Sequence, residues 1–128
     1  MTHVQCDASG AVIGVFANPQ PGRSTEIDDD DPRLATWRAA EIAPRVAAEC
    51  QRRIYAVASQ NCQMNMTAWI ASGKASADDR LAFEAALGWV QAMRAACATL
   101  IASSDESFAD DMRWPACPSA AAALAARF

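Results

Sequence analysis

At 128 residues the chain is long enough for one domain, or for one small module with an extension. Eleven Lys and Arg against fifteen Asp and Glu leave a net charge of −4, which argues against the basic face that phosphate neutralisation demands. Thirty-one alanines make up much of the 52% hydrophobic fraction, so bulky core material is scarcer than that figure suggests and helices packed through small side chains are favoured. No apolar run comes near the ~20 residues that span a bilayer, and the first seven residues lack the charged and apolar regions of a secretion signal. The expectation is a soluble protein retained in a cytoplasm, with no membrane and no nucleic-acid partner.

Two β-compatible runs, from His3 to Cys6 and from Ala11 to Ala17, flank Asp7-Ala8-Ser9-Gly10. Asp favours entry to a turn and Gly supplies a positive φ, so the segment predicts a β-hairpin. Asn18-Pro19-Gln20-Pro21-Gly22 interrupts any ladder, and Ser24 to Ile27 could return as a third short strand. The predicted hairpin module occupies residues 1–28, with the helical remainder over 29–128. Because a lone hairpin is marginal in water, it must gain a third strand, a helix or a partner.

Asp28-Asp29-Asp30-Asp31-Pro32 reads as a helix start, with an Asp cap, Pro in the first turn and carboxylates against the positive end of the helix dipole. A short helix to about Ala40 is expected, with Leu34 and Trp37 on one side. A long helix is then predicted from Ile42 to Ser72, opened by Pro44 and closed by Gly73. Val46, Cys50, Ile54, Val57, Asn61, Met64, Asn65 and Ala68 share one face of it at 100° per residue. Ser76 and Asp79 resemble a capping box opening a second long helix to about Ala102, with Phe83, Leu87, Val90, Met93, Cys97 and Leu100 on its stripe. Each would be roughly 40 Å long, and the short link forces them antiparallel. Trp114-Pro115-Ala116-Cys117-Pro118 must be extended, and Ser119 caps a last short helix to Arg127. The fold class expected is α+β, mainly α: a β-hairpin module, a long antiparallel two-helix hairpin and a short C-terminal helix.

Five cysteines, Cys6, Cys50, Cys62, Cys97 and Cys117, form no Cys-x-x-Cys pair, and the one histidine, His3, lies in a start expected to be mobile. That spacing does not build a zinc site, and the odd count suggests free thiols in a reducing compartment. No Gly-rich phosphate loop, nucleophile elbow or His-Glu-x-x-His helix occurs. No catalytic residue, cofactor or metal is therefore assigned. A two-helix hairpin buries only one stripe of each arm, so a homodimer is expected. Trp69, Trp89, Arg94, Asn61 and Asn65 are the candidates for self-association. The two asparagines and Arg94 interrupt apolar stripes, where an unpaired buried polar group would cost roughly 1–3 kcal/mol.

The opening hairpin around Asp7-Ala8-Ser9-Gly10-Ala11-Val12-Ile13-Gly14, the Asp30-Asp31-Pro32 helix start and the long helices together resemble small bacteriophage and prophage tail-fibre assembly and tail-assembly chaperone proteins. Arg53-Ile54, Gln63-x-Asn65, Trp89-Val90-Gln91-Ala92-Met93-Arg94 and Trp114-Pro115-x-x-Pro118 contribute to the likeness. The resemblance implies a non-enzymatic protein of the host bacterial cytoplasm that assists folding, trimerisation or attachment of receptor-binding fibres without a cofactor. A tail-fibre or other tail protein would be the partner. The hairpin's free strand edge would then add to a client sheet through Val12, Ile13, Val15 and Phe16. Trp114 is either a further partner contact or an anchor of the tail on the helices. The same surfaces would also suit a permanent virion tail component. The Asp28–Asp31 run leaves open a phage inhibitor of a host defence or nucleic-acid-processing complex that imitates phosphates.

Overall fold

Asp7 closes the first turn: its Oδ1 accepts from the backbone N–H of Ser9 at 2.9 Å, from the Ser9 hydroxyl at 2.6 Å and from the N–H of Ala11 at 3.1 Å. Gly10 adopts φ 85°, which a side chain would oppose. In the computed structural model, which describes residues 1–128, this turn joins strands β1 (Thr2–Cys6) and β2 (Val12–Phe16). The third strand, β3 (Thr25–Ile27), pairs antiparallel with β1 on its other side, giving the order β2-β1-β3. His3 is thus held in the central strand, opposite Phe16 and Glu26, rather than in a mobile start.

Two compact units emerge, Met1–Pro44 and Arg45–Phe128. In the first, Val4, Val12, Ile27 and Leu34 form the core, with Val15 and Trp37 packed against it. Leu34 and Trp37 belong to α1 (Pro32–Val57), so the module predicted to end at residue 28 takes in the start of that helix. The apolar face of three short strands needs a cover, and this helix supplies it. Asp31 caps α1, its Oδ1 accepting from the N–H of Arg33 at 2.9 Å.

Helix α1 departs from expectation at both ends. It runs unbroken through Pro44, which lies inside it instead of opening a new helix. The ring leaves the Ala40 carbonyl without its usual donor, and the boundary between the units falls at this residue. Downstream, the long helix predicted to reach Ser72 stops at Val57, and α2 (Gln60–Ala71) begins afresh. Both sides of the break are satisfied. Ser59 Oγ accepts from the N–H of Cys62 at 3.1 Å, and Gln63 Nε2 donates to the Ala58 carbonyl at 2.9 Å. The helical phase is reset there. Val46, Cys50 and Ile54 are buried as predicted, but beyond the break Cys62 and Met66 turn inward while Asn61, Met64, Asn65 and Ala68 face solvent.

Gly73, at φ 76°, ends α2, and Ser76 caps α3 (Ala77–Ala102) through the N–H of Asp79 at 3.1 Å. Of the stripe predicted on α3, Met93 and Leu100 are buried and Phe83, Val90 and Cys97 half-buried, while Leu87 is exposed; Ala82 and Trp89 are buried as well. The Cys50 thiol contacts the Met93 carbonyl at 3.7 Å, joining α1 to α3. By length and composition alone α3 is long and apolar enough to cross a membrane, although polar and charged residues interrupt its apolar ones. Trp89, Met93 and Leu100 of this helix are buried within the chain. Two single-turn 3₁₀ segments, Glu106–Ala109 and Asp111–Arg113, lead to the extended Trp114–Pro118 stretch and α4 (Ser119–Ala125). Leu124 and Ala125 of α4 close a core cluster with Ala58, Cys62, Met66 and Ala82. The fold is α+β and mainly α, 61% helical with one small sheet.

Candidate functional site

β2 is an edge strand, so its outer side offers unpaired backbone donors and acceptors. Its register against β1 slips between Gln5 and Cys6, leaving Ile13 opposite no residue. This bulge turns Ile13 outward, 54% exposed. Of the four residues expected to meet a partner, Val12 is buried and Val15 packs against the core, so both serve the module itself. Phe16 is half-buried, with its ring 3.7 Å from the space where a side chain at Gly14 would begin. Ile13 and Phe16 remain available. A cleft of about 210 Å³ beside the strand is lined by Ala11, Val12, Arg33 and Trp37.

The residues expected to meet a second copy divide differently. Trp89 is buried, and its indole N–H donates to the Pro115 carbonyl at 3.0 Å. Trp114 is buried as well, donating to the Phe108 carbonyl at 2.6 Å. Trp89 is met by the extended tail, which two prolines keep from coiling, while Trp114 lies in that tail with its ring under Arg53 of α1. Trp114 is an internal anchor rather than a partner contact. Trp69 is half-buried, donates to Asp79 Oδ2 at 3.0 Å and has the Phe128 ring at 6.3 Å. Asn61, Asn65 and Arg94 are exposed, so the desolvation cost that argued for partners on these side chains does not arise in the single chain.

The acidic run is engaged locally in part. Asp29 accepts from the Thr2 hydroxyl at 2.6 Å, which with the N-terminal ammonium holds its carboxyl below the usual range. Asp31 is held down by Arg33, whose guanidinium lies at 2.8 Å. Asp28 and Asp30 are left facing solvent. All five cysteines are free thiols, and no three His, Cys, Asp or Glu side chains converge as a metal site would require. Burial first, and then the neighbouring Cys97 thiol, push Cys50 up to about 11, which keeps it protonated and unreactive.

Two organising residues escaped the sequence reading. Arg53 donates to Glu49 Oε1 at 2.7 Å, to Asp111 Oδ1 at 2.8 Å and to the Ala109 carbonyl at 3.0 Å. The spacing of Glu49 and Arg53 was a visible signal for the first of these; the tail contacts had none. Asp79, read only as a capping position, receives Trp69 from α2 and Arg127 at 2.7 Å from beyond α4. No protein-family model, curated protein or solved structure matches the chain.

Proposed function

We propose that this protein is a non-enzymatic binding protein that receives an extended segment of a partner on the free edge of β2, and that the partner is a bacteriophage tail-fibre or other tail protein. The single observation that carries the reading is the position of β2: it lies at the edge of its sheet, with Ile13 and Phe16 accessible beside its open backbone. Strand addition needs little more than such an edge, with backbone hydrogen bonds supplying affinity and alternate side chains supplying choice. The bulge at Ile13 limits regular pairing to Gly14–Phe16, so a short segment docks there rather than a long sheet. The class of partner rests on the resemblance noted above.

A homodimer accompanies this reading. The outer face of α2, where Asn61, Met64 and Asn65 are exposed, is the surface on which a second copy would rest. Sedimentation of wild type and Met64→Asp tests that part on its own. For the principal reading, Ile13→Asp combined with Phe16→Asp leaves the core positions Val12 and Val15 intact. Loss of a co-expressed tail-fibre protein from pull-downs, with unchanged circular dichroism, is the expected result. Undiminished capture by this variant would refute the β2 site.

A further inference from the structure

The helical unit contains a groove between α3 and the broken arm formed by α1 and α2. Its wider end, about 300 Å³, is lined by Gln51, Tyr55, Arg94 and Cys97. Its narrower end, about 80 Å³, is lined by Met66, Phe83 and Leu87, with Ala121 of the tail helix beneath. Ile54, Gln63 and Val90 line both cavities, so the two adjoin along α3. The break at Ala58–Ser59 and the small Ala86, Ala121 and Ala125 side chains leave its walls unfilled.

Chemistry changes along its length. Arg94, Tyr55 and Gln51 line the wider end as exposed side chains, and the guanidinium, hydroxyl and amide have no hydrogen-bond partner within the chain. Guanidiniums lining other clefts are already neutralised, Arg33 by Asp31 and Arg127 by Asp79. Arg94 is different: it lines a cavity and has no carboxylate. The narrower end is walled almost wholly by hydrocarbon. From Arg94 to Phe83 the groove follows eleven residues of α3, about 16 Å at the helical rise.

We propose that this groove binds an amphipathic monocarboxylate with an unbranched chain of about ten to fourteen carbons, a length matched to that reach. The carboxylate sits on Arg94, whose planar fork suits it, with Tyr55 and Gln51 alongside. The chain runs past Val90 and Leu87 to Phe83. This site is independent of the β2 edge, and neither reading depends on the other.

The test is titration of the full chain with dodecanoate below its micellar concentration, followed by calorimetry and by displacement of a fluorescent fatty acid. Saturable one-to-one binding is expected. Arg94→Gln, an exposed substitution that leaves the fold intact, weakens it tenfold or more, and dodecanol binds the wild type as poorly as dodecanoate binds the variant. Octanoate, four methylenes shorter, binds about a hundredfold more weakly. Absence of saturable binding overturns the site, as does equal affinity of the wild type and the Arg94 variant, or of the acid and the alcohol. A dimer that dodecanoate neither enters nor dissociates would show the groove closed by a second copy, and would overturn it too.

Discussion

The guanidinium of Arg53 lies over the Trp114 ring, 5.6 Å from its centroid, while its nitrogens hold Asp111 and the Ala109 carbonyl. One side chain on α1 therefore holds the whole turn that leads into the tail. Arg45 repeats the device over Phe108 at 5.2 Å. Arg53→Gln should release this turn, costing about 1–3 kcal/mol through the lost charge-assisted bonds and stacking. Tryptophan emission should shift to the red as Trp114 gains water. Lys at the same position should restore little, because one compact ammonium lacks the planar fork that reaches Glu49, Asp111 and the Ala109 carbonyl at once while lying flat on the ring. An unchanged spectrum and midpoint for Arg53→Gln would show that the tail docks without it.

Trp89 gives a narrower test of the same docking. Its indole N–H is matched to the Pro115 carbonyl at 3.0 Å, and Phe retains most of the ring while removing the donor. Trp89→Phe should cost about 1–2 kcal/mol in urea unfolding, since the Pro115 carbonyl loses its partner. Trp89→Ala should cost roughly 3–5 kcal/mol through the cavity it opens. Equal losses for the two would mean that packing alone matters.

Glu49 carries a pH dependence. Hydrogen bonds from Arg52 and then Arg53, each at 2.7 Å at its shortest, hold its carboxyl at about 2 against an ordinary 4.5. The folded state binds the proton more weakly than the unfolded chain. The resulting stabilisation is complete above about pH 5 and fades as the pH falls toward about 2. At neutral pH wild type should exceed Glu49→Gln by about 1–3 kcal/mol, allowing for partial solvent access. Melting curves of the two should converge in acid. A gap that persists at the lowest pH would assign the effect to shape rather than charge.

Cys50 should resist alkylation. With its thiol pushed up to about 11 and buried between helices, little thiolate exists at about pH 8 and reagents cannot reach it. Peptide mass spectrometry after iodoacetamide treatment should find Cys50 unmodified in the native protein and fully modified in denaturant. Rapid native labelling would show that α1 and α3 separate readily.

Legibility in the sequence followed the range of the interactions. The hairpin turn, the Asp31 and Ser76 caps and the Gly73 stop each depend on neighbours within four residues, and each stands where the local pattern placed it. Pro44 misled because a proline at the first turn and a proline inside a helix look alike without knowledge of packing. The break at Ala58–Ser59 was hidden because Gln60–Ala71 continues to suit a helix; only burial shows that Cys62 and Met66 replace Met64 and Asn65 on the inner face. That phase error carried into the site reading, where it assigned Asn61 and Asn65 to a concealed surface. Trp89 was recognised as needing cover and Trp114 as either an anchor or a partner contact, yet the cover of Trp89 is a tail whose path depends on contacts more than fifty residues apart, such as Arg53 with Asp111.

The joint between α1 and α2 has one more consequence. A residue inserted inside α3 would turn everything beyond it by about 100° and scatter its inward stripe. One inserted between Ala58 and Ser59 lengthens the link between two separately terminated helices, at the cost of the Gln63–Ala58 hydrogen bond. Natural variation in chain length should collect at this joint and spare the unbroken rod across from it.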